Sequence, residues 1–262
     1  MRALRLLRIE LTVAVLERAE AFYLRLGFES VSAGAVSAHR ARLMGAAAVR
    51  EVILRRGGQE IALQEFAADG APYPADARAC DLVFQHFAMP VADMHAAMAT
   101  LSGVTAISRG GPQHLPQRSG GATAFKFRDP DGHPLELIQL PGGSGNGIDH
   151  SAIVVSDAGR SVEFYRETLG LELAARQLNT GPAQDRLDGV DGAVVEVVAL
   201  QPRIPAPHLE LLAYRSPTPR NRQPLAACDI AATRLVFEVS GGKAASMIED
   251  PDGHKLVLVP EQ

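Results

Sequence analysis

At 262 residues, with 47% hydrophobic and 21% charged side chains, the chain is long enough for one large or two ordinary domains and too apolar to be disordered. A formal charge of -4, no tryptophan and four tyrosines argue against a nucleic-acid partner, and the lack of an 18-residue apolar run argues against a membrane-spanning helix. Cys80 and Cys228 form no CxxC, and the N-terminus has no uninterrupted apolar stretch or small-residue cleavage site, so a cytoplasmic protein without a secretion signal is expected.

The first elements set a pattern that recurs. Residues 8–15 read as a Val/Ile/Leu-rich strand. Leu16, Ala19, Phe22, Tyr23 and Leu26 then fall at helical spacing, and Gly27 can end that helix in a left-handed conformation. Strands are expected over 31–33, 49–55 and 60–66. A linker over 69–79 leads to a second copy that opens at His86. Its helix is expected over 94–101 with Asp93 as the cap, and its strands over 104–108, 122–128 and 135–140. The stretch 141–147, Pro-Gly-Gly-Ser-Gly-Asn-Gly, is the most flexible linker and the best domain boundary.

The third copy opens at His150. Its Phe164-Tyr165 pair lies fourteen residues on, the interval that separates Phe22-Tyr23 from Arg8. Asp157 can cap the helix carrying Val162, Tyr165 and Leu169, and Gly170 can end it; strands follow over 171–177, 193–200 and 209–214. After a linker over 216–227, the fourth copy has strands over 233–239, 244–249 and 255–259 but lacks the helix and strand in between. It is either shortened or missing a segment of roughly 25 residues. The turns at 128–133 and 249–254, each containing Asp-Pro-Asp-Gly-His, read as tight hairpin connections, with His133 and His254 as turn residues.

The fold class expected is therefore α+β, with tandem βαβββ modules forming two cupped mixed-sheet domains. The first would span 1–141 (modules 1–66 and 80–141) and the second 147–262 (modules 147–215 and 229–262). No GxGxxG after a strand, no GxxxxGK[ST] and no HExxH is present, so no nucleotide cofactor is expected.

The repeats resemble the vicinal oxygen chelate superfamily of glyoxalases, extradiol dioxygenases and bleomycin-resistance proteins. The resemblance rests on His150-Ser-Ala-Ile-Val-Val-Ser-Asp, on 161–171, on the two Asp-Pro-Asp-Gly-His turns, and on Leu135-Glu-Leu-Ile and Leu209-Glu-Leu-Leu. It implies that modules pair around one cavity and that metal ligands look inward from first and last strands. The first-strand positions are Arg8, His86, His150 and Arg234; the last-strand positions are Ala62, Glu136, Glu210 and Val257. With consecutive modules paired, each domain would hold one His and one Glu, short of the usual Zn or non-haem iron set.

Two readings follow. One is an enzyme using Fe²⁺, Mn²⁺, Ni²⁺ or Zn²⁺ at His150 and Glu210 or at His86 and Glu136, with His150 and Glu210 catalytic. The other is a metal-free protein that binds or sequesters a small molecule. Arg8 and Arg234 are candidate anion clamps or counter-charges. His114 and Arg118, in the glycine-rich stretch 108–121, and Gln184 and Asp185 are candidate cavity groups. His208 shares a strand face with Glu210. The second domain is expected to hold the better site, and the short fourth module makes completion by a homodimer plausible.

Overall fold

The computed structural model describes residues 1–143, 145–221 and 223–261. Ser144 and Arg222, within the two later linkers, and Gln262, at the end of the second expected domain, lie outside the described residues.

The first module contains β1 (Arg2–Thr12), α1 (Leu16–Arg25), β2 (Glu29–Ala35), α2 (Ala38–Leu43), β3 (Val49–Arg56) and β4 (Gln59–Phe66). The second contains β5 (Gln85–Pro90), α3 (Met94–Ala99), the two-residue strands β6 (Thr105–Ala106) and β7 (Gln113–His114), then β8 (Thr123–Arg128) and β9 (Pro134–Gln139). The third contains β10 (His150–Val154), α4 (Ala158–Leu169), β11 (Glu172–Thr180), α5 (Pro182–Asp188), β12 (Val194–Gln201) and β13 (His208–Ser216). The fourth contains β14 (Arg234–Ser240), β15 (Ser246–Glu249) and β16 (Lys255–Pro260). Asp93 and Asp157 cap α3 and α4 by accepting the backbone N–H of Ala96 and Arg160, and Gly170 closes α4 at φ 66°.

The modules pair differently from their order in the chain. One sheet runs β15-β16-β14-β1-β4-β3-β2 and joins the first module to the fourth. The other has nine strands, β11-β12-β13-β10-β5-β9-β8-β6 with β7 also paired to β8, and joins the second to the third. The expected split at 141–147 therefore separates two modules of a single sheet. The reason is edge pairing: first strands pair antiparallel, β1 with β14 and β10 with β5, so each sheet is completed by the module whose first strand is free to meet it. The fourth module is short but continuous. Its β14 and β15 flank β16, and the chain crosses the end of that strand between Ser240 and Ser246. Two strand spacings are roughly 10 Å, well within the reach of five linking residues, so no helix is needed there.

Strand alternation divides the faces. Phe87, Met89, Leu135, Leu137, Ile153, Leu209 and Leu211 of one sheet share a core with Leu6, Ile9, Leu11, Ile61, Leu63, Leu235 and Phe237 of the other. Helices α1 and α4 add Phe22, Tyr23, Tyr165 and Leu169 to that core. Consecutive modules do meet there, across the two sheets. Tyr23 donates to Asp129 Oδ2 at 2.9 Å, and Tyr165 donates to Asp250 Oδ2 at 3.1 Å. The same aspartates accept backbone N–H groups of their own Asp-Pro-Asp-Gly-His turns. His133 and His254 are buried and reach the carbonyls of Ile230 and Val154. The repeated Phe-Tyr pairs and Asp-Pro-Asp-Gly-His turns thus form joints between modules.

Candidate metal centre

The residues left on the opposite face of the nine-stranded sheet define the site. Along its four central strands, alternation that sends Leu and Phe into the core sends Glu210, His150, His86 and Glu136 to the other side. Across β10 and β5, His150 stands opposite Ala88 and His86 opposite Ala152. Glu136 on β9 also lies opposite Ala88, and Glu210 on β13 opposite Ala152. Each polar side chain therefore has an alanine beside it, which leaves room for the four to converge. The two His–Glu pairs expected in separate domains lie in one cavity.

Ligand atoms of His86, Glu136 and His150 fall within 4.8 Å of one another, and all three residues are buried. Glu210 adjoins through His150 Nε2, 3.6 Å from its carboxylate. His86 Nε2 is 3.0 Å from Glu136 Oε2 but off the hydrogen-bond line, and neither ring nitrogen of His86 makes a hydrogen bond among the described residues. Burial and the nearby Lys126 push the His86 imidazole down, toward the neutral form that ligates metals. Burial opposes the Glu136 charge but is outweighed by His86, Lys126 and His150, which hold its carboxyl low.

His150 is set up differently. Its Nδ1 meets Asp149 Oδ2 at 2.9 Å, which leaves Nε2 facing Glu210. Burial would lower this imidazole, yet Glu210, Asp149 and Glu136 together lift it to about 9. Glu210 is held at about 2, because His150, His208 and His86 outweigh the cost of burying its charge. His208 Nε2 stands 3.6 Å from Glu210 Oε1 on the more exposed side of the pair.

Several groups had no expected role here. Lys126 on β8 is buried, directly opposite Glu136 in register, with Nζ 3.8 Å from its carboxylate and 2.7 Å from Asp188. Asp188, at the end of α5, also accepts from Tyr214 and Gln184, each at 2.7 Å. Alternation along Thr123–Arg128 could have assigned Lys126 to the face of Glu136; nothing local in the sequence marks Asp188. Around the cavity four carboxylates, Glu136, Glu210, Asp149 and Asp188, face two cations, Lys126 and the protonated His150, so the acidic groups are in excess by two, a balance that favours a divalent cation.

Other sequence candidates lie elsewhere. Arg8 and Arg234 occupy the seven-stranded sheet and do not reach this cavity, because that sheet is built from the other two modules. There they act as counter-charges. Arg234 is fully buried, 3.4 Å from Glu10, and donates to Gln64, Thr12 and the Ala232 carbonyl; Arg8 lies 3.6 Å from the same Glu10. The loop at 108–121 does cover the cavity, but through Leu115, Ser119 and Gly120. His114 is exposed beside Thr123, and Arg118 reaches the Thr180 carbonyl. Gln184 lines the cavity, whereas Asp185 accepts the backbone N–H groups of Gly192 and Ala193.

Comparison with known proteins agrees with this fold. Residues 147–258 match the model of the Glyoxalase/Bleomycin resistance protein/Dioxygenase superfamily. Glyoxalase I from Zea mays is similar over 99% of this chain and 92% of its own, at 16% identity and a TM-score of 0.63. A candidate dioxygenase from Bacillus subtilis is similar over 99% and 86%, at 12% identity and a TM-score of 0.60. At such identities these likenesses are of fold alone. No curated protein matches by sequence.

Proposed function

We propose that this chain, whose fold is that of the glyoxalase/bleomycin-resistance/dioxygenase superfamily, is an enzyme that holds one divalent metal through His86, Glu136, His150 and Glu210 and acts on a small molecule with vicinal oxygens. The observation that carries this reading is the convergence of His86, Glu136 and His150, with Glu210 beside His150, from four adjacent strands, where the buried His86 has no hydrogen bond at Nδ1 among the described residues and only an off-line contact with Glu136 at Nε2. Such nitrogens cost free energy unless something completes them. Two nitrogens and two oxygens without thiolate suit Fe²⁺, Mn²⁺, Ni²⁺ or Zn²⁺.

When bound, the ion supplies Lewis acidity to a substrate oxygen. The protein's own groups supply the rest. Asp149 fixes the ring of His150, and Asp188 neutralises Lys126, which would otherwise repel a cation. Leu115, Ile138, Leu187, Val195, Val197 and Leu212 form the apolar walls against which the body of a ligand would pack. Glu210 is more exposed than Glu136 and has His208 on its outer side, so its ionised carboxylate is placed to accept a hydrogen bond from a substrate donor.

A metal-free binding protein is the second reading, favoured by the internal His150–Glu210 and Lys126–Asp188 pairs. Elemental analysis of protein purified without added metal, followed by titration with the four ions, separates the two. The metal-centred reading expects one equivalent bound, lost in Glu136→Gln and His150→Ala; no stoichiometric uptake of any ion leaves the binding-protein reading.

A further inference from the structure

The cavity has a second polar wall. Gln184 on α5 and Asn179 on β11 both line it, and both are about 5% exposed. Gln184 Nε2 donates to Asp188 Oδ2 at 2.7 Å, which fixes the amide so that Oε1 is the free end. That Oε1, and Asn179 Oδ1, accept no hydrogen bond among the described residues. Asp188 is itself held by Lys126 and Tyr214, so Gln184 is anchored from behind by a buried network. A buried acceptor without a donor costs free energy that a ligand donor would recover. The cavity is also small, about 190 Å³, below the ~300–1,000 Å³ of sites for drug-sized ligands.

We propose that the substrate is a compact molecule, one small ring or a short chain, with a hydroxyl or N–H donor beyond its metal-chelating oxygens, and that Gln184 Oε1 and Asn179 Oδ1 read this donor. The inference rests on the metal-centred reading above. Lys126 acts as a positioning residue through Asp188, and the apolar walls contact the body of the ligand.

The test uses the full chain loaded with Ni²⁺, after metal uptake has been measured by titration. Three probes are compared by calorimetry: pyrogallol, which has a third hydroxyl, catechol, which lacks it, and 3-methoxycatechol, which carries an acceptor there instead. Pyrogallol is expected to bind about tenfold more tightly than either, the scale of one buried hydrogen bond. Gln184→Leu and Asn179→Leu, checked for retained metal uptake and melting temperature, are each expected to shrink that preference, Gln184→Leu to within about twofold. Equal affinity of the three probes for the unaltered protein overturns the inference, as does metal uptake with no binding of any probe. An undiminished preference in the folded variants overturns the assignment to these residues. Failure to take up metal removes the metal-centred reading and this inference with it, whereas the other negative outcomes remove this inference alone.

Discussion

Metal binding should tighten as pH rises, by an amount set at His150. Burial alone would favour the neutral ring, but the carboxylates of Glu210, Asp149 and Glu136 hold the imidazole protonated up to about pH 9. At pH 7 the ring is therefore about two units below its midpoint, and a metal entering at Nε2 must displace a proton at a cost of about 3 kcal/mol. Affinity should rise about tenfold per unit from pH 7 toward 9 and then level off. His86 adds little to this slope, since burial and Lys126 already hold its ring toward neutrality. Calorimetric titration with Ni²⁺ between pH 6.5 and 8.5, in two buffers of different ionisation enthalpy, should show one proton released per ion. The metal-free protein carries the mirror image. A raised imidazole pKa contributes stability that is fully present below about pH 6.5 and lost as pH climbs through 9, so its melting temperature should fall over that interval. A pH-independent dissociation constant, or binding without proton release, would refute this account of the site.

Three substitutions extend the test. Glu136→Gln should weaken metal affinity by at least 100-fold in the same titration, because it removes a charged ligand and leaves Lys126 with one carboxylate partner fewer. Lys126→Met should destabilise the fold by about 3–5 kcal/mol in urea denaturation, since it removes the cation of a buried pair and leaves Asp188 with only Tyr214 and Gln184 to meet it. Tyr165→Phe should cost about 1.5–3 kcal/mol, the range for a buried hydrogen bond to a carboxylate, while metal affinity stays unchanged because Asp250 is part of an inter-module joint.

The elements and their register were legible because the signals are local. Period-two alternation, capping aspartates and glycine stops placed most strands and the helices α1, α3 and α4 within a few residues but not α2, α5 or β7, and the first- and last-strand positions read as equivalent do fall in equivalent register across the four modules. The pairing of modules was not legible. It depends on which first strands meet edge to edge, and the glycine-rich sequence at 141–147 suggested a domain boundary where the chain only passes from β9 to β10 of one sheet. That error divided the candidate site in two and made each half look deficient. Lys126 carried a usable signal, its place between Phe125 and Phe127 on a strand whose other face is core. Asp188, Asp149 and Asn179 carried none, because their roles arise from contacts between elements distant in sequence.

The two sheets show how one backbone arrangement gives opposite outcomes. In register, Arg8 corresponds to His150, Arg234 to His86, Val257 to Glu136 and Ala62 to Glu210. The deciding difference lies beside them. Where the nine-stranded sheet has Ala152 opposite His86, the seven-stranded sheet has Glu10 opposite Arg234, and Val236 stands where Ala88 would be. Glu10 is fully buried and in ionic contact with Arg8, Arg40 and Arg234; Arg234 Nη2 donates to Gln64 and Thr12 and its Nη1 to the carbonyls of Ala227 and Ala232. A guanidinium is a permanent cation with no lone pair to offer a metal, so this cluster is an internal ion network and not a set of metal ligands. In the other sheet the alanines leave space, the imidazoles offer lone pairs, and the carboxylates outnumber the one lysine. Room for the proposed ion therefore follows from two alanines as directly as from the four polar side chains.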